Sequence, residues 1–151
     1  MPDKSLYDTA TMDAVLARID ALTQATRPQW GKMDVAQMLG HCAEILEVAN
    51  GKPLTGTPLI ARLFKGMIRK MVVGPKPYAK SITTHPQYVM ADTCEFQGEK
   101  TRLKAALSQI SNEGPEGASR TEHALFGRMT AQEKGWGMYK HLDHHFTQFG
   151  V

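Results

Sequence analysis

Helix-starting patterns followed by apolar residues three and four positions apart recur along this chain of 151 residues. In each pattern an Asp or Thr precedes a Gln or Glu by three positions, so the two residues can cap a new helix reciprocally. The patterns begin at residues 34, 92 and 130. Apolar residues at this spacing share one helical face. The sequence therefore predicts an all-α protein with four main helices and one additional helix, packed as a bundle.

The expected helices cover residues 11–26, 35–49, 59–72, 92–111 and 130–149. Pro28 ends the first helix, and Asn50 with Gly51 ends the second. Residues 74–91 form a long connection that supplies at most a short strand. Residues 112–119 are a turn-rich break. A chain of this length is expected to form a single domain, residues 1–151.

The helix expected at residues 59–72 is strongly amphipathic. One face carries Leu59, Ile60, Leu63, Phe64, Met67 and Met71, and the opposite face carries Arg62, Lys65 and Arg69. In a helical bundle an apolar stripe of this kind is expected in the core. The alternative is a helix that lies on a membrane surface, for which this composition is also typical.

Composition and charge exclude several classes of protein. The formal net charge of +3 is far from the dense basic surface of a nucleic-acid binder. No apolar run approaches the roughly 20 residues of a membrane span, and the first 30 residues lack the pattern of a signal peptide. We therefore expect a cytoplasmic protein that binds neither nucleic acid nor membrane. A homodimer is compatible with these features, but no residue pattern specifies its interface.

Histidines carry the remaining chemical signal, because Walker A, dinucleotide-binding, nucleophile-elbow and C-x-x-C patterns do not occur. His141 and His145 are four residues apart, so they share a face of the last helix within reach of one ion. Helical projection places both along one edge of the apolar stripe and turns His144 toward solvent or a partner. Taken alone, the pair is equally well explained as two boundary histidines that bind no metal.

His41 lies in the middle of the second helix, about 100° from the centre of its apolar stripe. It is either a boundary histidine hydrogen-bonded to a carbonyl or carboxylate, or a ligand contributed by a facing helix. Three histidines with open coordination positions are typical of a catalytic metal site. Each ligand would need an acceptor for its second N–H group, and helical spacing suggests Gln37, Glu44, Asp143 and Gln148.

Four segments together resemble the DinB-like superfamily: residues 30–33 (WGKM), 37–42 (QMLGHC), 123–127 (HALFG) and 139–150, which begin YKHLDHH and end QFG. The resemblance covers nearly the whole chain in order and is strongest to a bacterial branch with the C-terminal YKHLDHH…QFG signature. It implies a DinB/YfiT-like four-helix bundle with a long connection between the second and third bundle helices. The chain departs from the pattern at residues 124, 134–136 and 146–147, near the lip of the implied site.

The resemblance also implies that His41, His141 and His145 hold a divalent metal ion such as Zn, Ni or Fe. Some members of the superfamily transfer low-molecular-weight thiols or isomerise thiol adducts. The leading hypothesis is therefore a metal-dependent enzyme acting on a small molecule, in particular a low-molecular-weight thiol. Its reaction would be thiol transfer, thiol addition or hydrolysis. Lys76 and Lys80, with the basic face of residues 59–72, could attract an acidic thiol.

The remaining candidates have less specific roles. Tyr139, Glu44 and His123 are candidates for a pocket or catalytic role, and His85 is expected in a loop. Cys42 points into the apolar stripe, where a thiol is packing rather than a nucleophile. The rival hypothesis is a non-enzymatic bundle that binds a metal as a sensor, or that interacts with a membrane surface or a partner.

Overall fold

Four helices of the computed structural model form a bundle, and two shorter helices lie in the connection between its second and third members. The structure describes residues 3–151, which contain no strand. The helices are α1 (Thr9–Ala21), α2 (Val35–Ala49), α3 (Leu59–Leu63), α4 (Lys65–Val73), α5 (Phe96–Gly117) and α6 (Ala131–Gln148). A 3-10 turn, Pro86–Tyr88, interrupts the rest of the connection. The all-α prediction is therefore confirmed.

Two of the three predicted capping boxes are present. At the start of α2 the Asp34 carboxylate accepts from the Gln37 N–H at 2.8 Å, and the Gln37 side chain accepts from the Asp34 N–H at 3.0 Å. Thr130 and Glu133 make the same exchange at the start of α6, at 3.1 and 2.9 Å. The two helices that carry the histidines of interest thus begin where local sequence dictates.

The third predicted box is wrong. The Glu95 carboxylate itself caps α5 by accepting from the N–H groups of Gln97 and Gly98, at 3.0 and 2.5 Å. The helix also continues beyond residue 111, through most of the expected break. The break is limited to a kink at Gly114, whose φ of 67° and ψ of 172° are not helical.

Helix α1 ends at Ala21, earlier than the predicted residue 26. The Thr26 hydroxyl accepts from the Thr23 N–H at 2.9 Å, and the Thr23 hydroxyl accepts from the Ala25 N–H at 3.2 Å. Such local hydroxyl bonds offer the backbone an alternative to helical hydrogen bonds. Pro28 is therefore not what ends this helix.

The core lies between the four long helices, with α2 packed most extensively against α5. Its largest fully buried side chains are Leu6, Val15, Ile19, Leu22, Met38, Leu39, Leu46, Leu103, Leu107, Ile110, Leu142 and Phe146. Cys42 is fully buried among them, as predicted, and burial raises the pKa of its thiol. Within residues 3–151, every helix falls short of the length and apolar character needed to cross a bilayer.

The prediction for residues 59–72 is wrong in two respects, its continuity and its packing. The segment is divided at Phe64 into α3 and α4, and its apolar stripe is not part of the core. Leu59 and Leu63 are 71% and 72% exposed, and Met67 is 61% exposed. Ile60, Phe64 and Met71 are also exposed.

Polar contacts attach α4 to α6. The Arg69 guanidinium donates to both carboxylate oxygens of Glu133, at 3.0 and 2.9 Å. The buried Lys140 ammonium donates to the carbonyls of Met71 and Gly74, at 2.6 and 2.9 Å, where a cation complements the C-terminal end of a helix. Arg69, Ile68 and Val72 are therefore half-buried against the bundle, whereas Met67 and Met71 are left uncovered.

A buried ion pair between α5 and α6 provides a test of this packing. The Lys134 ammonium, on a side chain 3% exposed, lies 2.8 Å from a Glu113 carboxylate oxygen that also accepts from the Tyr7 hydroxyl. We expect Glu113→Ala to lower the free energy of unfolding by about 3–5 kcal/mol, because it leaves a buried ammonium unpaired. Urea denaturation measures this. Glu122→Ala, which removes an exposed pair with Arg128, should change it by less than about 1 kcal/mol; equal effects would contradict the assignment.

Candidate metal centre

Three histidines from two helices converge at one end of the bundle. His41 of α2 and His141 and His145 of α6 each place one ring nitrogen within 4.8 Å of the other two. The Nε2 atoms of His41 and His141 are 3.1 Å apart. His41 and His145 are buried, and His141 is half-buried. This cluster could hold a metal ion.

The orientation of His41 is set by the backbone of the connection. Its Nδ1 lies 2.7 Å from the carbonyl oxygen of Tyr88. A carbonyl only accepts, so Nδ1 carries the proton and the Nε2 lone pair points into the cluster. Tyr88 belongs to the 3-10 turn that packs against α2, and a protein usually fixes the tautomer of a ligating histidine in this way.

The orientation of His145 is set by an amide. Gln148 donates from Nε2 to the carbonyl of Trp30 at 2.8 Å, which turns its Oε1 toward His145. The Nδ1 of His145 lies 2.8 Å from that oxygen and must therefore be the donor. As with His41, the Nε2 atom is left free to act as a ligand.

His141 is the third member of the cluster, and fewer hydrogen bonds fix the orientation of its ring. Its Nδ1 is buried and has no hydrogen-bond partner within residues 3–151. Its Nε2 faces the unprotonated Nε2 of His41. A cation between such nitrogens would stabilise their close approach, because it accepts a lone pair from each.

Burial keeps the three rings neutral. It lowers the pKa of His41 against the opposing effect of the Tyr88 carbonyl. It lowers the pKa of His145 to about 3, assisted by the nearby His41, and it lowers that of His141 well below the ordinary value, assisted by the neighbouring histidines. Neutral imidazole is the form that binds a metal, so no proton needs to be displaced near pH 7.

Of the four acceptors that helical spacing suggested, Gln148 contacts a clustered histidine. Gln37 caps α2 and donates to the Asp92 carbonyl at 3.3 Å. The Glu44 carboxylate accepts from Lys52, Gln87 and Arg102. Asp143 pairs with Arg18 at 2.6 Å. The hydrogen bonds of these three side chains in the described structure are therefore made away from the cluster.

The other histidines of the cavity lie around the cluster without joining it. His144 is half-buried between the rings of Trp30 and Tyr78, at centroid distances of 5.9 and 5.7 Å, rather than directed at open solvent. His85 precedes the 3-10 turn and lies 3.0 Å from the Thr57 hydroxyl. Tyr139 instead packs against the core beside Trp136, with ring centroids 5.9 Å apart.

Sequence reasoning missed the contributions of Tyr88 and Tyr78. Tyr88 acts through its backbone carbonyl, which no side-chain pattern can reveal. Tyr78 lies in the connection after a Pro-rich stretch, and its ring contacts His141 and His144 only because this segment folds back over α6.

A cavity of about 750 Å³ extends from the cluster along the uncovered side of α4. This volume is in the range of small-molecule sites. His123 lies in its wall and is buried. The Nδ1 of His123 accepts from the N–H groups of Leu125 and Phe126, at 3.1 and 3.2 Å, so this ring is also neutral.

The pKa of His123 predicts an acid-sensitive fold. Burial lowers it to about 4, whereas an unfolded histidine titrates near 6.5. Between these values the unfolded chain binds a proton that the folded chain does not, so stability is complete above about pH 6.5 and falls toward pH 4. We expect His123→Asn, which retains an acceptor, to reduce this acid-side loss by up to about 3 kcal/mol in urea denaturation series at pH 7.5 and 4. An unchanged pH dependence would show that His123 is already protonated in the folded state.

Comparison of the chain with protein-family models, curated proteins and solved structures finds no match. The imidazole cluster and its adjoining cavity are therefore the features from which a function is inferred.

Proposed function

We propose that this protein is a metal-dependent enzyme in which His41, His141 and His145 bind one divalent ion and the adjoining cavity admits a small-molecule substrate. The observation that carries the proposal is the convergence of three neutral imidazoles within 4.8 Å of one another. Two of them have their Nδ1 atoms held by acceptors, which directs both Nε2 atoms into the cluster.

The donor set fits a catalytic ion better than a closed structural one. Within residues 3–151 no cysteine, carboxylate or further histidine joins the three ligating nitrogens, so coordination positions remain for substrate. When bound there, a divalent ion lowers the pKa of a thiol or water, so that the reactive anion is present at neutral pH. Imidazole donors suit Zn, Ni and Fe.

The chain's own residues position this chemistry. Tyr88 and Gln148 fix the tautomers of two ligands by accepting hydrogen bonds from their Nδ1–H groups. Hydrogen bonds of this kind raise the basicity of the ligating nitrogen and the affinity for the metal. The rings of Trp30 and Tyr78 flank His144 and, with it, line the cavity beside the cluster. Since the charge of the ion is not balanced by a carboxylate in the cluster, the site favours an anionic donor from the substrate.

The resemblance to the DinB/YfiT-like bundle proteins supports thiol transfer as the reaction class. The helical bundle, the position of the long connection between α2 and α5, and the three histidines are those that the resemblance implies. The proposed reaction transfers a low-molecular-weight thiol to an electrophile. The sulfur forms a bond to the electrophilic carbon, and the thiol proton leaves to solvent. With an alkyl halide the carbon–halogen bond breaks and halide leaves; with an epoxide the ring C–O bond breaks and its oxygen takes up a proton.

Metal analysis tests the site. We expect untagged, natively purified protein to contain about one equivalent of Zn, Ni or Fe, and the His141→Ala/His145→Ala variant to contain almost none, because one imidazole cannot hold the ion. Elemental analysis by mass spectrometry measures this.

His85→Asn is the matched control for the metal analysis, because Asn can still accept from the Gln87 N–H and cap the turn that carries Tyr88. It removes a histidine from the same cavity but outside the cluster, and should leave the metal content unchanged. Absence of metal from the native protein, even after dialysis against Zn and Ni, would contradict the proposal.

Turnover tests the reaction class. The metal-loaded protein should consume an alkyl halide or epoxide only when a thiol is supplied, and the His141→Ala/His145→Ala variant should show at most the uncatalysed rate. Loss of the electrophile, followed by chromatography, measures this. Equal rates with and without thiol would contradict thiol transfer and indicate hydrolysis instead.

A non-enzymatic role at a membrane surface is the second candidate. The observation that favours it is the exposure of Leu59 and Leu63, 71% and 72%, on a segment rich in basic residues. The three imidazoles and their fixed tautomers have no part in such a role, which is why we rank it second.

A further inference from the structure

The cavity beside the cluster is large and has a mainly apolar lining. One end is formed by the three histidines, and a long wall is formed by apolar side chains of α3 and α4, among them Ile60, Phe64, Met67, Ile68 and Met71. Ile82, Val89 and Met90 of the connection also line it. A ligand that reaches the cluster through this cavity would therefore contact mainly apolar surface.

Formal charge is nearly absent from the cavity. Among the described residues that line it, none is an Asp or Glu, and Lys32 is the single residue with a permanent charge. Burial keeps His123 neutral as well. Such a lining opposes a cationic ligand and disfavours one with several charges, because each charge would lose hydration without gaining a partner.

The basic residues that could have attracted an acidic thiol lie outside the lining of the cavity. Arg69 is paired with Glu133. The Lys80 ammonium lies 4.5 Å from the centroid of the Trp30 ring. Neither lines the cavity, and neither do Arg62, Lys65 or Lys76. Recognition of the substrate must therefore depend on apolar contacts rather than on a basic pocket.

We propose that the ligand of this cavity is a small amphiphile with one apolar tail and one electron-pair-donating head group, a thiolate or carboxylate. The tail lies along the apolar side of α4, and the head group lies at the histidine cluster. Placement of the head group rests on the proposed metal site, whereas placement of the tail rests on the cavity alone. The exposed apolar side chains of α4 then form one wall of a ligand site.

A homologous series of ligands tests whether the cavity binds an apolar tail. We expect the affinity of the metal-loaded protein for straight-chain carboxylates, from butanoate to decanoate, to rise about fourfold for each added methylene, which is the gain from burying that group. Isothermal titration calorimetry measures this below the micelle concentration. Affinity that does not depend on chain length would overturn the proposal.

A matched pair of variants locates the tail. Met67→Asp places a charge in the cavity wall, whereas Leu63→Asp places one at a similarly exposed position of the same segment that does not line the cavity. We expect Met67→Asp to weaken decanoate binding at least tenfold and butanoate binding little. Leu63→Asp should leave both unchanged. Equal effects of the two variants on decanoate would overturn the assignment.

Vesicles of anionic phospholipid distinguish this site from a membrane-binding surface. If the face of α3 and α4 binds membrane, both variants should release the protein from vesicles and neither should alter carboxylate binding, and the proposal would be wrong. Co-sedimentation at moderate salt measures the release.

The His141→Ala/His145→Ala variant separates this inference from the proposed function. Without bound metal it should bind each carboxylate more weakly but retain the gain for each methylene. If the native protein binds no metal and the gain persists, the metal site fails and the apolar site stands. If metal binds and the gain is absent, the metal site stands and this inference fails.

Discussion

The packing of α2 and α6 in one bundle is the constraint on which the site depends. Three imidazoles reach within 4.8 Å of one another only because His41 is held opposite the pair on α6. Both helices contribute buried side chains to the same core, among them Leu39 and Phe146. Close-packed cores resist small displacements, so the core supports the histidine cluster.

Burial has two consequences at this site. It removes water from the imidazoles and thereby lowers the pKa values of His41, His141 and His145, which keeps their lone pairs available. It also makes every ring N–H dependent on a protein acceptor, since an unpaired buried donor is unfavourable. Tyr88 and Gln148 meet this need for two rings. Two of the three rings therefore have fixed tautomers, with both Nε2 atoms directed into the cluster.

The connection between α2 and α5 supplies what the bundle does not. It carries the Tyr88 carbonyl, the ring of Tyr78 and the apolar wall formed by α3 and α4. Its attachment to α6 through Arg69 and Lys140 leaves the side of α4 that carries Met67 and Met71 uncovered. The cavity beside the histidine cluster is therefore a product of the way this connection packs on the bundle.

Local sequence determined the all-α class, the starts of α2 and α6, and the spacing of His141 and His145, because capping and helical periodicity act over three or four residues. The resemblance that the sequence carries added His41 to the same ligand set. Helical spacing also suggested Gln148 as the acceptor for His145. Tertiary structure alone decided which face of α4 is uncovered and that the Tyr88 carbonyl holds His41. These features depend on contacts between residues far apart in the chain, such as Arg69 with Glu133 and His41 with Tyr88. Such contacts leave no pattern in the sequence, because helical periodicity relates only residues three or four positions apart.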